Sequence, residues 1–322
     1  MRPEARLPLP RRLWIYQAER FPLSRHGPLI VVFCGAAGLY GLRLVGAPLR
    51  LPALLGAIAC SGAFFPLMRI ADEFKDQGDD RRCRPYRPVP RGLVTLWELG
   101  LVGLATVLLQ ALLVLTMAPS AWGMLLAAWL WFTLMSLEFL APHRLRERPL
   151  LYTLSHMPIV PLIALLAAAF TLDTRATALP WADLLPLLGL CFLNGLAIEF
   201  ARKIRLLELE EPGVDTWSAL WGLRPALLRW LLVLLLSLPL ALLAARPVGA
   251  LPALLLLLIP LLAWLPRRVL SLWRAGSPGR SGTSPGGLQP DRSTAPLELP
   301  TGLWTLATYL ALGWWPALGG AG

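Results

Sequence analysis

Residues 93–117, LVTLWELGLVGLATVLLQALLVLTM, form the stretch that decides the fold. They run for 25 residues and contain one charged side chain, that of Glu98. An α-helix of about 20 apolar residues is long enough to cross the roughly 30 Å of hydrocarbon in a bilayer. The stretch therefore predicts a transmembrane helix.

Similar apolar runs recur along the chain of 322 residues, of which 56% are hydrophobic, with a mean hydropathy of +0.60. Soluble globular domains usually contain about 45–50% apolar residues, so this composition excludes that class. We expect an all-α polytopic membrane protein, a helical bundle of about nine transmembrane helices. The predicted spans are residues 27–46, 51–70, 93–117, 120–141, 150–171, 181–201, 225–246, 248–265 and 302–319.

The basic residues are distributed unevenly between these spans. If the N-terminus lies in the cytoplasm, all but four of the 30 Lys and Arg residues fall on the cytoplasmic side; the exceptions are Arg43, Arg50, Arg175 and Arg246. The positive-inside rule therefore predicts a cytoplasmic N-terminus. The net charge of +11 is spread over loops on one membrane face, where anionic headgroups attract it. We therefore expect these positive charges to contact membrane lipids and not a nucleic acid.

The chain divides into a short basic segment and one long membrane domain. Residues 1–26 are predicted to be a basic cytoplasmic segment without a cleavable signal, and residues 27–319 to be the transmembrane domain. Within that domain, residues 275–300 are rich in Gly, Ser and Pro and predict a flexible cytoplasmic loop. The four cysteines include no CxxC pair, so we expect neither a disulfide nor a zinc site.

Residues 69–92, RIADEFKDQGDDRRCRPYRPVPRG, place many charges between two predicted spans. Asp72, Asp76 and Asp80 recur every four residues, so a continuing helix would hold them within about 80° of arc, and Asp79 with them. Like charges at a membrane surface repel one another unless a cation compensates them. Hard oxygen ligands suit Mg²⁺. The alternative is a solvated surface whose acidic and basic groups neutralise each other.

The same segment resembles the first aspartate-rich motif of the UbiA-type intramembrane prenyltransferases, (N/D)-D-x-x-D-x-x-x-D with a following R-P-containing turn that ends in S/R-G. The tail PYRPVPRG, residues 85–92, is similar to that of the chlorophyll-synthase branch. The resemblance implies a helical bundle around a central cavity, in which Mg²⁺ holds the diphosphate of a polyprenyl donor. It implies Arg84 and Arg87 as diphosphate partners, and as metal ligands Asp72, Glu73, Asp76 and Asp80.

The second motif of that family, D-x-x-x-D near the end of the sixth span, is altered here. Glu199 stands for the first aspartate, and Lys203 occupies the position of the second. The resemblance implies Glu199 and Asp215 as further metal ligands, and Arg202 and Lys203 as further diphosphate partners. It implies as catalytic residues Asp72, Asp76, Asp80 and Lys203. The alternative for Glu199 and Lys203 is an i,i+4 salt bridge at the membrane surface.

Together these patterns lead to a functional expectation. We expect a Mg²⁺-dependent prenyltransferase in the bacterial inner membrane, with its site towards the cytoplasm and an unidentified aromatic or hydroxyl-bearing acceptor. Two alternatives stay open: a transferase that uses another diphosphate-leaving donor, such as a phosphoribosyl diphosphate, and a non-catalytic lipid-binding or transport protein. The polar residues Glu138, His156 and Asn194 lie in predicted spans, and Asn194 in particular should face the bundle interior.

Overall fold

The structure is a computed structural model that describes residues 7–172, 178–206, 210, 215–275 and 297–319. Its regular elements are helical, and these ranges contain no strand. The chain forms two compact units, Met1–Trp181 and Ala182–Gly322. Residues 276–296 of the predicted flexible loop lie outside the described residues.

The described residues of the first unit form ten α-helices: α1 Leu9–Arg20, α2 Leu23–Leu44, α3 Leu51–Gly62, α4 Phe64–Lys75, α5 Gln77–Cys83, α6 Leu96–Met117, α7 Trp122–Ser136, α8 Pro142–Arg146, α9 Pro149–His156 and α10 Ile159–Thr171. The helices of the second unit are α11, which begins at the boundary and runs from Trp181 to Arg202, α12 Trp217–Trp221, α13 Leu223–Ala245, α14 Leu251–Ala275, α15 Glu298–Tyr309 and α16 Trp315–Gly319.

Seven helical segments of the described chain are long and apolar enough to cross a membrane: Leu23–Leu44, Leu51–Lys75, Leu96–Met117, Pro149–Thr171, Trp181–Arg202, Leu223–Ala245 and Leu251–Arg274. Each coincides with one of the nine predicted spans. Seven such helices are typical of a multi-pass integral membrane protein. The all-α class and the membrane class are therefore confirmed, whereas the orientation stays a prediction.

The count of nine spans is not confirmed, because the main α-helices of two predicted spans, α7 and α15, have only 15 and 12 residues. In 120–141, α7 has only 15 residues and is followed by Glu138, Phe139 and Leu140 with φ angles of 49°, 51° and 57°. Non-glycine residues rarely adopt this left-handed conformation, which ends the helix. In 302–319, α15 ends at Tyr309 and passes through a π-helical turn, Leu310–Trp314, into α16.

Small residues allow the helices of the first unit to pack closely. Helix α10 packs against α2, α3 and α7. A Cβ atom on Gly56 of α3 would lie 2.8 Å from the Phe170 ring, and one on Gly41 of α2 would lie 3.2 Å from Ala168 Cβ. The Thr171 hydroxyl also donates a hydrogen bond to the Gly38 carbonyl, over 3.1 Å. This packing fixes α3, and α4 follows it after one residue and carries the acidic segment.

Within the second unit, hydrogen bonds between buried side chains connect the helices. Trp230 Nε1 donates to Thr301 Oγ1 over 2.9 Å, and Trp304 Nε1 donates to Ser237 Oγ over 3.1 Å. Asn194 is fully buried, and its Nδ2 donates to Thr308 Oγ1 over 3.2 Å. The expectation that Asn194 faces the interior is therefore confirmed within this unit.

Candidate functional site

The acidic segment keeps its helical hydrogen bonds across the junction of α4 and α5. Asp76 lies between the two helices, with φ −87° and ψ 2°. Its N–H donates to Asp72 O over 2.8 Å, and the Asp80 N–H donates to Asp76 O over 2.8 Å. The four-residue spacing of these three aspartates is therefore kept in the backbone.

Their side chains nevertheless lie in different surroundings. The side chains of Glu73 and Asp80 are only 1% and 3% exposed, whereas that of Asp72 is 43% exposed. Asp79 is exposed as well, and its carboxylate pairs with Arg82 in the same short helix. The motif thus contains two buried carboxylates and others that remain accessible.

Asp80 is enclosed by arginines from the turn that follows α5. Arg87 Nη1 lies 2.7 Å from both carboxylate oxygens of Asp80, and Arg84 Nη1 lies 3.2 Å from Asp80 Oδ1. Arg87 uses only this nitrogen. Its other guanidinium N–H groups form no hydrogen bond with any described residue. Asp80 therefore orients Arg84 and Arg87 and leaves part of the Arg87 guanidinium available.

The Glu73 carboxylate is enclosed by an arginine of α1 and an arginine of its own helix, α4. Arg20 of α1 donates from Nε to Glu73 Oε1 over 2.6 Å, and Arg69 Nη2 lies 3.8 Å from the same oxygen. Two further ion pairs hold α1 in place. Arg12 of α1 pairs with Glu98, and Glu19 of α1 pairs with Arg91. Helix α1 therefore packs directly on the acidic segment.

Asp72 and Asp76 keep accessible carboxylate oxygens. Asp72 Oδ2 is 3.7 Å from Arg69 Nη1, too far for a hydrogen bond. The Asp76 carboxylate forms no hydrogen bond or ion pair with the described residues. Burial raises the pKa of Asp76, and the charges of Asp72 and Asp80 raise it further. A partly buried carboxylate beside like charges is suited to receive a cation.

These surroundings decide which carboxylates fit Mg²⁺. In the part of the chain that the structure describes, no group of three or more His, Cys, Asp or Glu side chains is arranged to hold a metal ion. Mg²⁺ in phosphate-binding sites needs only one or two carboxylates, because water and phosphate oxygens complete its coordination. Asp72 and Asp76 meet this requirement. Arg20 binds one oxygen of Glu73 and Arg87 binds both oxygens of Asp80, and the role of these two carboxylates as metal ligands stays a prediction.

A small cleft opens beside Asp72, between α4 and α7. Its polar lining comes from Asp72, Lys75 and Ser136, and its apolar lining is Met68, Ala71, Phe132 and Met135. Lys75 Nζ lies 2.5 Å from the Tyr152 hydroxyl, and the Tyr152 ring stacks on His156 with 4.0 Å between ring centroids. The ring nitrogens of His156 lie 2.7 Å from the Tyr152 carbonyl and 3.1 Å from the Met135 carbonyl, and a neutral imidazole donates to one of them. The cleft is therefore lined by the accessible Asp72 and by Lys75, which Tyr152 holds in place.

In the second unit, Glu199 forms ion pairs with both neighbouring cations. Glu199 Oε2 lies 2.8 Å from Arg202 Nη2, and Glu199 Oε1 lies 3.0 Å from Lys203 Nζ. Lys203 Nζ also lies 5.9 Å from the centre of the Trp217 ring. The i,i+4 salt bridge is therefore present. Asp215 is exposed in the segment before α12, and its role as a metal ligand stays a prediction.

We expect Lys203→Ala to lower the free energy of unfolding by about 1 kcal/mol, because Arg202 still pairs with the partly buried Glu199, while one ion pair and the contact with the Trp217 ring are lost. Unfolding in mixed detergent micelles measures this change. If the protein stays folded, the titration of a prenyl diphosphate analogue then tests the predicted phosphate contact. Affinity within about twofold of the wild type would exclude that contact.

Sequence reasoning missed the residues that α1 contributes. One face of α1 carries Arg12, Tyr16 and Arg20, which are spaced four residues apart. All three side chains face other parts of the first unit. This spacing was the available signal, but a basic N-terminal segment gave no reason to expect contacts with Glu73 and Glu98. The contact between Lys75 and Tyr152 was also missed, because the two residues are 77 positions apart and no sequence pattern links them.

The chain was compared with known proteins. No family model, no curated protein and no solved structure matches it. The resemblance to the UbiA-type prenyltransferases therefore rests on the acidic segment, the altered second motif and the predicted spans of this sequence.

Proposed function

We propose that this protein is a Mg²⁺-dependent intramembrane prenyltransferase, which transfers a polyprenyl group from its diphosphate to an aromatic or hydroxyl-bearing acceptor. One observation carries the proposal. Two carboxylates without a hydrogen-bonded arginine, Asp72 and Asp76, stand four residues apart in the same segment in which a third carboxylate, Asp80, binds Arg84 and Arg87. Accessible carboxylates next to fixed guanidinium groups suit a metal-bound diphosphate.

In this proposal the residues of the first unit have separate tasks. Asp72 and Asp76 would hold Mg²⁺, which supplies Lewis-acid stabilisation of the diphosphate as it departs. Arg87 offers its remaining N–H groups to the phosphate oxygens, and Arg84 adds positive charge. Asp80 is a positioning residue, because it fixes both guanidinium groups before the donor arrives. Fixed charges need no reorganisation when the allylic carbon–oxygen bond breaks.

The acceptor would approach through the cleft beside Asp72. The cleft is small, so only an edge of a hydrocarbon or aromatic acceptor would enter it, against Met68, Phe132 and Met135. Its polar side includes Lys75, which can orient a hydroxyl group. We place this site towards the cytoplasm in a bacterial inner membrane, because the adjoining segments are rich in Lys and Arg.

A non-catalytic lipid-binding or transport protein is the second candidate. It is favoured by the ion pairs of Glu73 and Asp80, which leave fewer free carboxylates than the family motif implies. A phosphoribosyl diphosphate would meet the same phosphate-binding groups as a prenyl diphosphate, and the cleft does not discriminate between them.

Mass spectrometry of lipid extracts tests the proposal. Cells without the gene should lack a prenylated lipid, wild-type protein should restore it, and Asp76→Asn should not. Asp79→Asn is the matched control, since Asp79 is an exposed aspartate of the same segment that pairs only with Arg82 in the described chain. Identical lipid profiles with and without the gene would contradict prenyl transfer and favour the non-catalytic candidate.

A further inference from the structure

Arginine is the only type of charged residue in α13 and α14. The arginines of α13 lie near its start and those of α14 near its end: Arg224, Arg229, Arg267, Arg268 and Arg274. The two helices pack against each other, and the Arg224 guanidinium lies 5.1 Å from the centre of the Trp273 ring. The start of α13 is therefore beside the end of α14, and both helices bring positive charge to this place.

Three of these arginines, Arg229, Arg267 and Arg274, are exposed. No ion pair joins them to the carboxylates that the structure describes in the second unit, which are Asp183, Glu199, Glu210, Asp215 and Glu298. The described part of the unit therefore leaves the charge of these three side chains to an external partner.

Two of the three lie well within helices that are long and apolar enough to cross a membrane, Leu223–Ala245 and Leu251–Arg274. At about 1.5 Å per residue, Arg229 lies about 9 Å from the first residue of its helix, and Arg267 lies about 10 Å from Arg274. A charged side chain at this depth is costly beside hydrocarbon, unless it reaches the headgroup region or an anionic partner. These two positions therefore favour an anion at the edge of the bilayer.

Arg229 is held in place by a tryptophan of α12. Its guanidinium carbon lies 4.3 Å from the centre of the Trp221 ring, and that ring stacks on Trp217 with 4.3 Å between ring centroids. Tryptophan is typical of the level of the lipid headgroups. The N–H groups of Arg229 form no hydrogen bond with any described residue. Arg229 therefore presents oriented donors to an acceptor outside the described chain.

Apolar side chains continue the exposed face on which each arginine lies. Leu232 and Leu236 follow Arg229 by three and seven residues, so they share its face of α13, and they are 54% and 50% exposed. Ile259, which precedes Arg267 by eight residues on α14, is 58% exposed. Each helix thus has an arginine at one end of an exposed apolar strip. This arrangement matches the phosphate and the acyl chains of a phospholipid.

We propose that α13 and α14 bind an anionic phospholipid at the end that carries Arg229 and Arg267. The lipid phosphate accepts hydrogen bonds from the Arg229 guanidinium, and an acyl chain lies along Leu232 and Leu236. A zwitterionic headgroup fits less well, because its own positive charge is repelled by the arginines. The site lies within the second unit, and it depends neither on Mg²⁺ nor on the proposed transferase activity.

The test is native mass spectrometry of the full-length protein in detergent, titrated with dioctanoyl phosphatidylglycerol and separately with dioctanoyl phosphatidylcholine. Wild type should bind the phosphatidylglycerol at least about fivefold more tightly. Arg229→Gln and Arg267→Gln should each raise the Kd for phosphatidylglycerol about fivefold, because each removes one cation beside the headgroup. Arg246→Gln is the matched control. Arg246 is an exposed arginine at the opposite end of α13, so this Kd should stay within about twofold of wild type.

Equal affinity of wild type for the two lipids would overturn the proposal. So would binding that Arg229→Gln and Arg267→Gln weaken no more than Arg246→Gln does. The two variants lie on different helices, so either one decides the test if the other does not fold.

Soluble glycerol phosphate is the remaining probe, because it offers the phosphate without acyl chains. Binding of glycerol phosphate as tight as that of phosphatidylglycerol would show that the apolar strips contribute nothing, and the occupant would then not be a lipid. We expect weaker binding of this soluble compound, with no difference between wild type and Leu232→Ala. The same Leu232→Ala variant should bind phosphatidylglycerol less tightly than wild type does, because part of the surface for the acyl chain is lost.

Discussion

Asp80→Asn should lower the free energy of unfolding by about 3 kcal/mol, the largest stability effect that we expect in the acidic segment. The Asp80 side chain is 3% exposed and is bound by Arg87 and Arg84. Removal of one partner from a buried ion pair leaves its cations uncompensated, at a cost of about 3–5 kcal/mol. Asparagine keeps one acceptor oxygen, so we expect the lower end. Equilibrium unfolding in mixed detergent micelles measures the change.

Two neighbouring aspartates provide controls for this prediction. Asp79→Asn should change stability by less than about 1 kcal/mol, because the pair with Arg82 is exposed. Asp76→Asn should leave stability unchanged or raise it, because the pKa of Asp76 is raised by burial and by neighbouring carboxylates. If Asp80→Asn is as mild as Asp79→Asn, then Asp80 does not hold the two arginines in the way described.

Asp76→Asn should weaken the binding of a prenyl diphosphate analogue by about 100-fold or more in the presence of Mg²⁺. An amide in place of the carboxylate loses the charge that a hard cation requires, and only Asp72 then remains as an accessible carboxylate of the pair. Because the folded protein should be no less stable, the loss can be assigned to binding. Asp79→Asn, at an exposed position of the same segment, should bind the analogue as wild type does.

The membrane spans were largely predictable, because a helix that crosses hydrocarbon must be continuously apolar over a fixed length. The run at 93–117 corresponds to Leu96–Met117, and 225–246 corresponds to Leu223–Ala245. Apolar character alone does not show where a helix stops. The left-handed residues Glu138–Leu140 end α7 within an apolar run, and they include neither Gly nor Asn to indicate a break.

Within the candidate site, local spacing was predictable and burial was not. The period of Asp72, Asp76 and Asp80 is kept in the backbone, since it depends only on helical geometry. Asp80 is enclosed by Arg84 and Arg87 of the adjoining turn, whereas the enclosure of Glu73 depends on an arginine far away in the chain. Arg20 reaches Glu73 across 53 positions, and such a long-range pair leaves no periodic signal in the sequence. The four-residue pattern alone could not distinguish Asp80, which positions arginines, from Asp76, which stays open.

The pairing of Asp72 with Asp76 as a Mg²⁺ site for diphosphate is the central claim, and a paired titration tests it most directly. A non-hydrolysable prenyl diphosphate is titrated into wild type and Asp76→Asn, each with Mg²⁺ and with EDTA. We predict tight binding only for wild type with Mg²⁺, and a similar loss of affinity on adding EDTA or replacing Asp76. Binding by wild type that is equally tight in EDTA, or unchanged by Asp76→Asn, would contradict the claim.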